Sequence, residues 1–171
     1  TRAEPPRASC IDDMARDVPK LSALYCKRSR KDVDAEQCEV LARVAIGVER
    51  TRLEQLVRRA DALPSGSSAA IALYTQAGDG YLALWRGHCE GPLAKGEKPK
   101  QCDGAAEILT NLARAYQAAR LLAKAMQARA VLLDPRYGLA NTEHALRAIF
   151  DTGANYQAIA VYDRAADHYE L

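Results

Sequence analysis

The sequence predicts an all-α chain of stacked antiparallel helical hairpins. Three observations carry this: alanine, leucine and arginine dominate while aromatics make up only 6%; apolar residues recur at helical spacing; and small residues return at long, near-regular intervals. At 171 residues the chain can bury one core, or stack a few repeats that share one. Its 24 basic and 22 acidic side chains are mixed along the length and leave a formal charge of +2, so nothing calls for nucleic acid. No apolar run approaches the ~18 residues of a membrane span, so no transmembrane segment is expected. No export signal opens the chain, and an exported form would already have lost one.

Residues 1–9, with Pro5-Pro6 and no periodicity, read as a flexible arm. Residues 10–63 read as an N-terminal helical segment. Leu21, Leu24 and Tyr25 repeat there at helical spacing, and Pro19 either breaks the register or opens a second helix as its first-turn proline. Asp34 offers an N-cap with Gln37 as its capping-box partner. Val40, Leu41, Val44, Val48, Leu53, Leu56, Val57 and Ala60 then continue one long helix over about 35–62. Leu63-Pro64-Ser65-Gly66-Ser67-Ser68 ends it, since proline, glycine and serine together neither extend a helix nor pack. Arg43, Arg50, Arg52, Arg58 and Arg59 are interleaved with Glu39, Glu49 and Glu54, the pattern of a solvated, salt-bridged face rather than an anion-binding stripe.

Beyond residue 68 the chain repeats itself. Gly78-Asp79-Gly80-Tyr81-Leu82-Ala83-Leu84 matches Gly153-Ala154-Asn155-Tyr156-Gln157-Ala158-Ile159 at a separation of 75. Ala123 and Ala130 are followed 35 residues later by Ala158 and Ala165, and Leu112 and Tyr116 recur 34 later as Leu146 and Phe150. A period of 34 to 35 belongs to a helix-turn-helix repeat. Leu112-Ala113-Arg114-Ala115-Tyr116, with Ala123, Ala130 and Pro135, resembles the tetratricopeptide repeat (TPR) family, and so does Gly153, Tyr156, Ala158, Tyr162 and Ala165. The resemblance implies a short right-handed solenoid over 68–171, in units of about 68–102, 103–137 and 138–171, preceded by a helical cap or a divergent hairpin. It makes Gly153 a turn glycine and places Ala123 and Ala158 where two helices meet closely, so that bulk there would splay a hairpin. Gly78-Asp79-Gly80 reads as a turn. The step from Ala83 to Ala123 is 40, and the surplus falls between His88 and Asp103.

Five cysteines punctuate the chain without a CxxC pair. Cys26 and Cys38, and Cys89 and Cys102, stand at similar separations across polar stretches, Lys27 to Asp32 in the first case and Glu90-Gly91-Pro92 through Lys100 in the second. Disulfides stapling hairpins are therefore expected ahead of metal ligation, which implies an exported, oxidising setting, where disulfides persist. The rival is a metal-binding or redox module on His88, Cys89 and Cys102, for which no fourth ligand stands out. Cys10 is left over: free and buried, paired outside this segment, or a substitute for one of the four.

No nucleophile elbow, P-loop, zinc-helix motif or dinucleotide fingerprint occurs, and His88, His144 and His168 are scattered, so neither an enzyme, a cofactor nor a metal is expected. Tyr74, Tyr81, Tyr116, Tyr156 and Tyr162 are expected in the core with hydroxyls at its rim, and Trp85 beneath the Cys89 loop. The family resemblance implies a concave groove lined by Asn111, Arg114 and Gln117 in one unit and by Asn141, His144 and Ala145 in the next, suited to a peptide. Ile159, Val161, Tyr162 and Tyr169 form an apolar end without a polar cap. Further chain, truncation or a partner, including a second copy of the chain, accounts for it. The expected function is a non-catalytic scaffold that binds another protein or peptide in the periplasm or cell envelope. In style the chain resembles the large repeat proteins of gliding bacteria's envelopes, which implies a motility or secretion assembly.

Overall fold

The structure, a computed structural model, describes residues 8–26, 34–98 and 100–170, and among these it contains helices and no strand. In order they are α1 (Ala8–Tyr25), α2 (Ala35–Asp61), α3 (Ser68–Leu84), a π turn (Trp85–Cys89), α4 (Glu90–Ala94), a 3-10 turn (Lys100–Cys102), α5 (Ala105–Ala118), α6 (Leu122–Leu133), a 3-10 turn (Pro135–Tyr137), α7 (Glu143–Ala158) and α8 (Tyr162–Tyr169). Most of the expected arm lies outside the described residues, although Ala8 and Ser9 already belong to α1. The polar stretch from Lys27 to Asp32 lies outside them entirely. Pro19 sits inside α1 without ending it.

Local chemistry starts and stops these helices. Asp34 caps α2 by accepting from the Glu36 amide at 2.9 Å. Gln37 does not close the expected capping box. Its Oε1 instead accepts from the Tyr25 hydroxyl at 2.6 Å, tying α2 back to α1. Ser67 and Thr142 cap α3 and α7 through the amides of Ala70 and Ala145, each at 3.2 Å. Gly66, at φ 75°, makes the left-handed turn between α2 and α3.

Helices pack in chain order: α1 on α2, α2 on α3, α3 on α5, α5 on α6, α6 on α7 and α7 on α8, with α5 also touching α7. Leu53, Tyr81, Trp85, Ile108, Leu109, Leu112, Tyr116 and Leu132 are the large side chains that this stacking removes from water. Each such leucine contributes about 1.5–3 kcal/mol. Trp85 is buried in the same turn as Cys89 and stands edge-on to Tyr137 with centroids 5.2 Å apart. Tyr162 departs from expectation: it opens α8 and is 66% exposed, Ala165 being the buried residue of that helix.

Burial recurs along the chain in a repeat-like pattern, but its second step is longer than expected. Ala70, Ala105 and Ala145 are all buried, as are Ala77, Leu112 and Thr152, and Gly78, Ala113 and Gly153. Tyr81, Tyr116 and Tyr156 complete the series, so the steps are 35 and then 40. The ends of α5 and α7 are built alike. Leu121 N–H donates to Tyr116 C=O and Arg120 N–H to Gln117 C=O; Val161 N–H donates to Tyr156 C=O and Ala160 N–H to Gln157 C=O. Arg120 and Ala160 are left-handed at φ 62° and 60°, as the C′ residue of a Schellman cap must be.

This register corrects several expectations. Leu146 and Phe150 do not replace Leu112 and Tyr116 in the core; they are 67% and 62% exposed. Ala123, Ala130 and Ala158 face outward, and the small residues buried in the second helices are Ala125, Ala128 and Ala165. The cause is the α6–α7 link, where the Pro135–Tyr137 turn and Gly138 at φ 66° lengthen the connection. Nor are the glycines turn residues: Gly78 and Gly80 lie inside α3 and Gly153 inside α7. Their use is close approach. A Cβ on Gly78 would stand 2.6 Å from the Tyr116 ring, and one on Gly153 2.8 Å from the Tyr169 ring.

Candidate functional site

The cysteines frame the fold. Cys26 and Cys38 lie at disulfide distance with Cα atoms 5.7 Å apart, and Cys89 and Cys102 likewise at 5.5 Å. The first pair joins the facing ends of α1 and α2, and the second closes the enlarged segment after α3. Cys10 is free and exposed, not buried. With Cys89 bonded to Cys102, neither offers a thiolate to a metal beside His88. No group of three or more His, Cys, Asp or Glu gathers among the described residues. Burial lowers the His88 pKa from its ordinary 6.5, so its imidazole favours the neutral form.

A polar cleft of about 440 Å³ crosses α2, α3 and α5. From α2 come Glu54, Val57, Arg58 and Asp61, spaced to share one helix face; α3 supplies Tyr74 and Tyr81, two turns apart; α5 supplies Glu107, Asn111 and Arg114. Two of the three acids are already engaged. The Tyr74 hydroxyl donates to Asp61 Oδ1 at 2.5 Å, and Glu107 pairs with Arg50 at 2.5 Å. The Tyr74 hydroxyl is correspondingly harder to ionise, first because it donates to Asp61 and then because of burial. Tyr81 forms the floor. Burial, reinforced by the Glu54 carboxylate, pushes its pKa up to about 12. Arg58, Arg114, Asn111 and Glu54 are left facing the cleft. That set can hold charged and hydrogen-bonding groups of an extended ligand, and it contains no nucleophile held against a base.

Of the groove residues read from the sequence, the structure brings Asn111 and Arg114 together here. The other four are elsewhere. Gln117 accepts from the Arg129 guanidinium, His144 Nδ1 and the Thr110 hydroxyl are 2.9 Å apart, and Asn141 is exposed in the turn before α7. Ala145 is fully buried and lines no groove. In the 40-residue register Asn111, Arg114 and Gln117 correspond to Asp151, Ala154 and Gln157, so the expected second-unit residues Asn141, His144 and Ala145 fall about three turns too early. Glu54 and Arg58 were expected on a solvated, salt-bridged face and Tyr74 in the core, and Asp61 was not singled out, although the spacing 54, 58 and 61 places one set of polar groups on a single face of α2.

Arg129 is the one buried cation among the described residues, 2% exposed between α5 and α7. Its Nη2 lies 3.6 Å from Asp151, and its Nη1 has no hydrogen-bond partner. Burial lowers its pKa and Asp151 opposes that. With Gln117 it ties three helices together, a structural role behind the cleft-lining Arg114.

Comparison with family models, with curated proteins and with solved structures returns no match.

Proposed function

We propose that the chain is a non-catalytic protein-interaction scaffold that holds an extended peptide segment in the cleft formed by α2, α3 and α5. The observation that carries this reading is the convergence of Arg58, Arg114, Asn111 and Glu54 on a cleft of about 440 Å³ whose other acids are tied down within the fold. Two arginines with an amide suit a peptide carrying an acidic side chain or chain end. Helices stacked in chain order, each beside the next, support a short solenoid of the TPR kind, with the long second step as a departure from that family's spacing. The two cysteine pairs support an oxidising location, and the periplasm or cell envelope, within a motility or secretion assembly, is the setting we assign.

Selection of displayed random peptides against the oxidised chain tests the reading. Peptides rich in acidic groups should be recovered. Arg114→Glu should weaken the selected peptide at least tenfold, on the scale of losing a charge-assisted pair, while the melting temperature stays unchanged because Arg114 is exposed. If no peptide is enriched, or if enriched peptides bind Arg114→Glu and Arg58→Glu as well as the parent, the cleft is not a peptide site.

A further inference from the structure

Large apolar side chains on the surface are confined to the two ends of the stack. Met14, Leu21, Leu24, Val40 and Val44 lie on α1 and α2; Leu146, Phe150, Ile159, Val161, Tyr162 and Tyr169 lie on α7, α8 and the link between them. None of those recorded as exposed falls between Val44 and Leu146. Scattered exposure is normal for a folded chain, but this segregation is not scatter.

The internal repeat says what kind of element covers the C-terminal face. Forty residues before Leu146 and Phe150 stand Ala106 and Thr110 on α5, and both are buried. The helix beside them is α7, whose His144 meets Thr110 at 2.9 Å. Leu146 and Phe150 thus occupy, one step on, the positions that a following helix covers. Phe150 already packs against Tyr169 at 5.5 Å, and with Leu146 and Ile149 they border a recess of about 440 Å³ open to solvent.

A helix able to fill that place must bring an apolar stripe of its own, and the N-terminal hairpin carries one. Leu21 and Tyr25 are neighbours one turn apart on α1, and Val40 and Val44 are neighbours on α2. Tyr25, Val40 and Leu41 border a second recess, of about 520 Å³. In its main packing α1 rests on α2 and α8 on α7, so these faces lie outermost among the described helices.

We propose that copies of this chain associate head to tail, the Met14–Leu21–Leu24 and Val40–Val44 face of one copy covering the Leu146–Phe150–Tyr169 face of the next. The two faces differ, so the contact is heterologous and does not close on itself as a two-fold dimer would. Association continues the helical stack from copy to copy.

Sedimentation velocity and light scattering on the oxidised full chain, from low micromolar to near-millimolar concentration, test this. The mean mass should climb past that of a dimer as concentration rises. Leu21→Glu and Phe150→Glu are solvent-exposed changes, at 59% and 62% exposure, and each alone should give a monomer with unaltered helical circular dichroism. An equimolar mixture should form a one-to-one heterodimer and nothing larger, because each variant retains the face the other lacks. Val44→Glu and Leu146→Glu should repeat the result, and Arg114→Glu should leave association intact, which separates this proposal from the peptide cleft. A parent chain that stays monomeric throughout overturns it, as do association blocked by Phe150→Glu but not by Leu21→Glu, and a variant mixture that remains monomeric.

Discussion

Replacing Ala125 with leucine adds three carbons at a position with 0% exposure, in the core beneath α6, whereas the same change two residues earlier, at Ala123, adds them to an outward face. Overpacking a closed site costs about 1–3 kcal/mol. For a chain of this size each kcal/mol lowers the melting temperature by about 2–4 °C, so Ala125→Leu should melt roughly 2–12 °C below the parent. Ala123→Leu should stay within about 0.5 kcal/mol of it. Ala165→Leu and Ala158→Leu repeat the contrast in the last hairpin, one buried at 4% and the other exposed. Thermal and urea denaturation of all four variants give the answer directly. A 35-residue register puts Ala123 and Ala158 at the helix crossing and demands the opposite ranking. Equal losses at Ala123 and Ala125, or a neutral Ala125→Leu, would refute the 40-residue register and the end-face argument built on it.

Unfolded in the absence of reductant, the chain should expose one reactive thiol of five, that of Cys10, and the double change Cys89→Ser with Cys102→Ser should lose about 3 kcal/mol of stability in urea; five reactive thiols would remove both staples. Gly78→Ala should be destabilising by about 1–3 kcal/mol, because the Tyr116 ring it meets is fixed by a 2.8 Å hydrogen bond to Asp79. Gly47→Ala meets nothing within 4 Å and should instead gain up to about 1 kcal/mol of helix propensity; urea midpoints that rank the two alike would contradict the close α3–α5 approach. Ala160→Gly relieves a left-handed alanine at φ 60° and should raise stability by up to about 1 kcal/mol, readable as a higher melting temperature. Because His88 has a folded pKa below its ordinary 6.5, the unfolded chain takes up the proton first as pH falls. Stability is therefore full above that value and declines through the window beneath it. His88→Gln should flatten this decline in urea midpoints measured on either side of pH 6.5, and an unchanged slope would assign it to other groups.

Helix class, the long α2 and both cysteine pairs were legible because each rests on local chemistry: an N-cap aspartate, a proline-glycine-serine terminator, and cysteines set across polar stretches. The 75-residue match between the Gly78 and Gly153 segments also survives, since it compares helices in equivalent places. What failed was the register between them. Alanine is so frequent here that an alanine at nearly any offset finds another, and Leu146 and Phe150 copy the spacing of Leu112 and Tyr116 while facing water. The identical Tyr-Gln-Ala at 116–118 and 156–158 held the correct step of 40. The cleft was half legible for a related reason. Asn111 and Arg114 could be found by counting along one helix, but the partners from α2 and α3 depend on how three helices lie side by side, and no spacing within one segment encodes that.

The order of packing also decides how the cleft and the ends can influence one another. Each helix rests mainly on its neighbours in sequence, so a change at the C-terminal face reaches the cleft through the middle of the stack. α5 is that middle. One of its faces gives Asn111 and Arg114 to the cleft; another is joined to α7 by the Thr110–His144 pair, and Gln117 is joined through Arg129 to Asp151. These links hold α5 against the last hairpin by polar contacts that depend on geometry more than do apolar ones. A partner that shifts α7 thus acts first on Thr110 and Gln117, which flank Arg114 on the same helix. Coupling between peptide binding and end-to-end association, wherever it occurs, therefore has two routes: that short stretch of α5, and the cysteine-closed segment, whose α4 meets the Pro135–Tyr137 turn and whose Lys100–Cys102 turn meets α2.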